Sequence, residues 1–263
     1  MLLRTAVAAI LAVAIAVAVP TSGAAAPSCR ASSGDTVRPL VELYTSEGCD
    51  SCPPADRWLS ATFADARERA IPLAFHVDYW DRLGWRDRFA DARYTERQHA
   101  AAAANGKTFV YTPQVLVQGR DAPWQDPRTL QGVATAAAAR PRAAVTVEAD
   151  RIGDALQVVA SARIDDARLR EGAAIGIAFV DSGLSSDVKA GENRGAHLAH
   201  DHVVRAFATG GVREPDGRIT ARATFARPRE AGTHPTIVAF VQRTATGEVV
   251  QAVALALTDC PTP

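Results

Sequence analysis

Gly48-Cys49-Asp50-Ser51-Cys52-Pro53-Pro54 is the stretch on which the fold turns. Ahead of it, Val41-Glu42-Leu43-Tyr44 is a short, β-branched and apolar run with strand character. Behind it, Pro53 and Pro54 suit the first turn of a helix, and Ala55, Trp58, Leu59, Phe63 and Ala66 recur near helical spacing through about Arg69. A Cys-x-x-Cys pair therefore stands at a strand-to-helix turn. The free N–H groups and partial positive charge of a helix N-terminus favour a thiolate over a thiol at Cys49.

That placement is the one used by the redox pair of thioredoxin-like proteins. Cys49 is expected to be the more exposed sulfur and the attacker, with Cys52, a turn further in, resolving the mixed disulfide. Tyr111-Thr112-Pro113-Gln114 runs into a strand, where such folds place a cis-proline opposite the cysteines. Thr112 would there offer its backbone to an extended peptide. Asp78, at the end of the second strand, is a candidate to take the proton of Cys52 through water, or else a simple cap. Ser51 can donate to a thiolate, whereas Asp50 and Glu47 add charge that disfavours one, so redox direction stays open. Trp80, Trp85 and Arg86 can line a groove beside the cysteines or pack against the second half of the chain.

The surroundings agree with redox chemistry outside the cytosol. Arg4, the apolar run Ala6 to Val19 and Ala24-Ala25-Ala26 read as a secretory signal over residues 1–26. The apolar run is shorter than the roughly 17–25 residues a membrane helix needs, and no later run is longer. A secreted or periplasmic location, with no membrane association after cleavage, follows as the expectation. Lys plus Arg and Asp plus Glu both number 29, so the balance suggests neither nucleic acid nor anionic membrane as a partner. Cys29 and Cys260 lie near the two ends of the mature chain, and termini are often close in space. A Cys29–Cys260 disulfide is the natural pairing, closing a loop of ~230 residues with an upper-limit stabilisation of about 5 kcal/mol.

Along the chain, strands and helices alternate first. Ile71 to Tyr79 reads as a strand, Ala90 to Asn105 as a helix ended by Asn105-Gly106, Val115 to Gln118 as a strand, Ala122-Pro123-Trp124 as a short edge strand, and about Pro127 to Ala139 as a helix capped by Asp126. From Ala143 to Leu257 there are about seven strand-like runs separated by turns such as Gly210-Gly211 and Pro215-Asp216-Gly217, the pattern of a β-sandwich. The expected class is α/β: a signal peptide over 1–26, a thioredoxin-like domain over 27–142, and a β-sandwich domain over 143–263 whose tail returns through Cys260.

Taken together the motifs resemble a family. Val41 through Asp56, His76 through Trp85, Arg97-Gln98, Tyr111 through Gln114, Gly191-Glu192-Asn193-Arg194-Gly195 and Val203-Val204-Arg205 closely resemble the signature of the DUF1223 secreted proteins. The resemblance implies a thioredoxin-like N-terminal domain and implies little about activity. Gly48 in place of a tryptophan before Cys49, the acidic spacer and Pro53 directly after Cys52 depart from thioredoxin-like proteins at large. The expected function is thiol–disulfide exchange on protein thiols or disulfides by a monomer without a cofactor, with Cys49, Cys52, Thr112, Pro113 and Asp78 as site residues. The alternative is a non-catalytic binding module, or a Cu/Zn carrier that adds His197, His200, His202 or His76 to the cysteines. No metal is expected. His197, His200 and His202 are read as a solvent-exposed polar loop, and His76 as a satisfied core histidine.

Overall fold

The computed structural model describes residues 29–64 and 69–260 of the chain, so the leader reading for residues 1–26 falls outside the described residues. The class is mixed α/β, with strands well in excess of helices. The first half contains β1 (Cys29–Ser32), β2 (Leu40–Thr45), α1 (Cys52–Thr62), β3 (Ile71–His76), α2 (Ala92–Ala104), β4 (Gln114–Val117), β5 (Arg120–Asp121) and α3 (Arg128–Ala137). The second contains β6 (Ala144–Ile152), β7 (Ala155–Arg163), α4 (Ala167–Glu171), β8 (Ala173–Asp181), β9 (Leu184–Asp187), β10 (His197–His200), β11 (Val203–Gly210), β12 (Val212–Arg213), β13 (Arg218–Ala226), β14 (Thr236–Arg243) and β15 (Val249–Ala256).

Strand alternation decides where each residue goes. In β2, Val41 and Leu43 face a cluster with Ala55 and Leu59 of α1 and Val133 of α3, while Leu40 and Tyr44 face Phe75 and Tyr94 on the α2 side. Each fully buried Leu such as Leu59 contributes about 1.5–3 kcal/mol over an exposed one. β2 and β3 are parallel, from Leu40 opposite Ile71 to Thr45 opposite His76, and β4 joins β2 antiparallel. The edge strand lies at Arg120–Asp121, two residues before the expected position, because the tight turn at Gln118-Gly119 starts pairing at once. α1 ends at Thr62, short of the expected Arg69.

The sheet does not stop at residues 140–144. One eight-stranded sheet runs in the order β15-β14-β8-β11-β3-β2-β4-β5. It joins the halves where Val203 of β11 lies beside Ala74 of β3 and Ala74 N donates to the His202 carbonyl at 2.8 Å. A second, five-stranded sheet, β1-β6-β7-β13-β12, faces β8, β14 and β15 across a core of Val145, Val147, Ala160, Ile175, Ile177, Ile219, Ile237 and Val253. Thus β1, at the start of the described chain, belongs to the sheet of the second half, and Cys29 on it is bonded to Cys260 with a Cα separation of 5.2 Å.

Arg97 of α2 ties the two halves a second time. Its Nε and Nη2 donate to Glu42 Oε1 at 2.8 and 2.6 Å, its Nη1 donates to Gln242 of β14 at 3.1 Å, and its guanidinium lies 5.0–5.4 Å from the rings of Phe75, Phe207 and Phe240.

Candidate functional site

The turn between β2 and α1 is held by its own short side chains. Ser46 Oγ accepts from Gly48 N at 3.1 Å and Ser46 O from Cys49 N at 3.2 Å, so the chain reverses immediately before the helix. Cys49 and Cys52 form a disulfide with a Cα separation of 5.4 Å. Cys49 Sγ lies 3.3 Å from Ser51 Oγ and accepts from Thr112 Oγ1 at 3.4 Å. The Thr112–Pro113 peptide bond is cis. Cys49, Cys52, Thr112 and Pro113 are thus in one place, as the sequence suggests. Asp78 is not joined to them: its carboxylate accepts from Thr95 Oγ1 of α2 at 2.6 Å, its amide donates to the same hydroxyl at 3.2 Å, and its carbonyl accepts from Asp81 N at 3.0 Å.

The expected exposure of Cys49 is corrected. Both cysteines are 0 % exposed. Two features cover them. The Trp80 indole lies over the turn, its Nε1 donating to Thr112 Oγ1 at 2.7 Å. A β-carbon on residue 48 would stand 3.1 Å from Trp80 Cβ, so glycine before Cys49 lets the indole approach the turn closely. The second cover comes from the far half of the chain. Between β9 and β10, Asn193 Nδ2 donates to Glu47 O at 2.9 Å and Cys49 O at 2.8 Å, and Glu192 Oε2 accepts from Asp50 N at 3.1 Å. Gly191 in the same segment packs near Trp85 and Gly48. The aromatic loop therefore both lines the cysteine turn and packs against the second half.

Beneath the turn lies a buried ionic cluster that no sequence motif announces. Glu47 N donates to Asp87 Oδ2 at 2.9 Å, Glu47 Oε2 accepts from Trp85 Nε1 at 2.7 Å, and Glu47 Oε1 stands 3.2 Å from His200 Nε2. His76 Nδ1 is 2.7 Å from Asp87 Oδ2, with both side chains buried. Burial works against the His76 imidazolium, but the Asp87 charge and hydrogen bond outweigh it and raise its pKa. Burial likewise opposes the Asp87 carboxylate, and His76 with the Glu47 and Phe89 amides pulls its pKa below the usual range. Asp56 stands four residues beyond Cys52 on α1, and desolvation pushes its carboxyl up. The Glu47 carboxylate is committed to Trp85 and faces His200, so the acid expected to weaken a Cys49 thiolate is drawn into this cluster.

The histidine reading is corrected in part. His197 and His200 stand on β10, and His200 is buried against Phe89 and His76, with ring centroids 5.3 Å apart in each case. His202 follows the strand at φ 58°, and burial lowers its pKa. His76 is the satisfied core histidine expected. Among the described residues no group of three or more His, Cys, Asp or Glu side chains is arranged to hold a metal ion. No helix among them is long and apolar enough to cross a membrane. The signal that Glu47 and His200 meet was absent from the sequence, because 153 positions of chain separate them and no local spacing reports such a contact.

Solved structures share the fold. A crystallised protein of Agrobacterium tumefaciens is 24 % identical with a TM-score of 0.60, over 88 % of this chain and 99 % of its own. HBP35 of Porphyromonas gingivalis is 15 % identical with a TM-score of 0.62, over 88 % of this chain and 81 % of its own. Among curated proteins nothing matches. A family model described as "Protein of unknown function (DUF1223)" matches residues 40–242, a span that includes Cys49, Cys52, Thr112, Pro113, Asn193 and His200. The chain belongs to the DUF1223 family.

Proposed function

We propose that this protein is a secreted or periplasmic thiol–disulfide exchange protein, with a thioredoxin-like first half and a β-sandwich second half, acting on the thiols or disulfides of other proteins. The observation that carries the reading is the convergence on one sulfur. Cys49 Sγ sits beside the N-terminus of α1, 3.3 Å from the Ser51 hydroxyl and 3.4 Å from that of Thr112. Donors and a helix N-terminus around one cysteine of a close pair lower the cost of its thiolate.

In the reducing direction the Cys49 thiolate attacks a substrate disulfide, forming a Cys49–substrate bond and releasing one substrate thiolate. Cys52, deprotonated, then attacks Cys49 Sγ, forming the Cys49–Cys52 disulfide and releasing the second substrate thiolate. The oxidising direction is the reverse. Asp56, one helical turn beyond Cys52 on α1 and with its carboxyl pushed up by desolvation, is a second candidate beside Asp78 to exchange the Cys52 proton. The test is the reduction of insulin and the oxidation of reduced ribonuclease by the full mature chain. Cys49→Ser should abolish both, and Cys52→Ser should accumulate mixed disulfides. Equal rates for the wild type and a Cys49→Ser/Cys52→Ser variant would overturn the proposal.

Complete burial of both sulfurs favours a second reading, a binding module whose Cys49–Cys52 bond is structural. On that reading the bond withstands millimolar dithiothreitol in the folded protein, and the same assays show no turnover.

A further inference from the structure

We infer that Trp80 is a positioning residue for the thiolate of Cys49, acting through the hydroxyl of Thr112. The inference rests on the reading of Cys49 as the attacking sulfur. Which group donates and which accepts is fixed from one end. An indole Nε1–H can only donate. At 2.7 Å from Thr112 Oγ1 it occupies an acceptor lone pair of that hydroxyl. The Thr112 proton must then point elsewhere, and it is directed to Cys49 Sγ at 3.4 Å, with the Tyr79 phenol oxygen as the other acceptor near it. Without the indole the hydroxyl is free to rotate and to accept rather than donate. The neighbouring phenol is the competing partner: its O–H donates to Gln98 Oε1 at 3.2 Å and its oxygen also meets the Thr112 hydroxyl, so Tyr79→Phe, which removes that acceptor, should leave the Cys49 bond in place.

The arrangement is a directed chain, Trp80 N–H to Thr112 O–H to Cys49 sulfur, running from the loop after β3 to the segment before β4 and on to the helix N-terminus. A donor polarised by a second donor bonds an anion more strongly than one left alone. Placed on a thiolate, such a bond lowers the thiol pKa. Gly48 lies against the same device: a β-carbon there would stand 3.1 Å from Trp80 Cβ, a tight contact that Trp80 could relieve only by shifting a few tenths of an ångström.

The experiment uses the full mature chain carrying Cys52→Ser with the Cys29–Cys260 bond intact, so that Cys49 is its single thiol. The thiolate absorbance near 240 nm is titrated with pH. The ionisable groups around the turn, Glu47, Asp50 and Asp56 beside it, His76 and Asp87 beneath it, and Glu192 and His200 from the second half, are the same in every variant, so their contribution cancels in the comparison. Thr112→Val should raise the Cys49 pKa by about one unit, the size of a modest hydrogen bond to a charged group. Trp80→Phe should raise it by roughly half as much. In the Thr112→Val background, Trp80→Phe should add nothing. Thr112→Ser should keep the wild-type value and its sensitivity to Trp80→Phe. Where Trp80→Phe disturbs folding, benzothienylalanine at position 80 removes the N–H alone. A Trp80 effect that persists undiminished with Thr112→Val, or no shift on Thr112→Val, overturns the inference. Because the readout is an acid dissociation and not turnover, its failure is distinguishable from a failure of the exchange activity.

Discussion

Asn193→Ala should expose the cysteine pair to small thiols. In the closed protein neither cysteine is accessible, so an external thiolate cannot line up with the Cys49–Cys52 bond until one of its two covers, the Trp80 indole or the β9–β10 segment, moves. Asn193 holds that segment with two hydrogen bonds, to Glu47 O at 2.9 Å and Cys49 O at 2.8 Å. Removing the side chain loses both bonds and leaves two partly buried carbonyls waiting for water. At about 1 kcal/mol per bond the closed state loses about 2 kcal/mol, which is about thirtyfold in the opening equilibrium. Glu192→Gln, which weakens one exposed contact to Asp50 N, should change it only about twofold. The assay is the rate of dithiothreitol reduction of the Cys49–Cys52 bond, followed by acid quench, alkylation and mass spectrometry of the labelled peptides. The wild-type rate should level off at high dithiothreitol, where opening limits it. The Asn193→Ala rate should be about thirtyfold higher at low dithiothreitol. Equal rates for the two proteins, or a wild-type bond reduced as fast as an exposed peptide disulfide, would refute the cover as a barrier.

Replacing Cys29 and Cys260 together by Ser should lower stability by up to about 5 kcal/mol, read from denaturant midpoints, while the Cys49–Cys52 pair still reduces and reoxidises. Asp87→Asn should cost about 3 kcal/mol, since it removes the buried carboxylate paired directly with His76 Nδ1. In the wild type the His76–Asp87 contribution is complete between pH about 4 and about 6.5. It is lost on the acid side as pH falls through the lowered Asp87 value, and on the alkaline side as pH rises through the raised His76 value; parallel stability–pH curves for the wild type and Asp87→Asn would contradict this. Gly119→Ala should destabilise by more than about 1 kcal/mol in thermal melts, because the backbone there has φ 77° and the new β-carbon would meet Gly247 O at 1.9 Å.

What was legible in the sequence was local. A strand, a turn of Gly-Cys-Asp-Ser-Cys and a helix opened by Pro53 and Pro54 follow one another within 22 residues, from Val41 to Thr62, and their placement needs only propensity and periodicity. The Asn105 end of α2 and the Asp126 side chain accepting from Arg128 N at 2.9 Å were equally readable, since caps are carried by the capping residue itself. The four cysteines could be paired by elimination once two of them had a job. The rest failed at long range. β9 and β10 are four-residue strands whose burial alternates, but their apolar content is one leucine and one alanine at best against serines, aspartate and histidines, so no run announces them.

That hairpin is what closes the site. It brings Asn193 over the cysteine turn and His200 under it, with Glu47 touched from both sides: its carbonyl by Asn193 and its carboxylate by His200. A cysteine turn read on its own sequence is exposed, since nothing close to it along the chain can cover the sulfurs except Ser51 and the turn's own backbone. The cover comes from residues 80–85 and 191–193, and the sheet that runs unbroken through both halves, joined at Ala74 and Val203, is what holds those two segments in register. It follows that the second half is part of the site and not an appendage to it. If so, cutting the chain near residue 142 should not yield a working exchange module, because the fragment would lose Asn193, His200, the β11 partner of β3 and the Gln242 partner of Arg97 together. A fragment of residues 27–142 that folds cooperatively and keeps its Cys49–Cys52 bond shielded from dithiothreitol would show that the first half closes its own site.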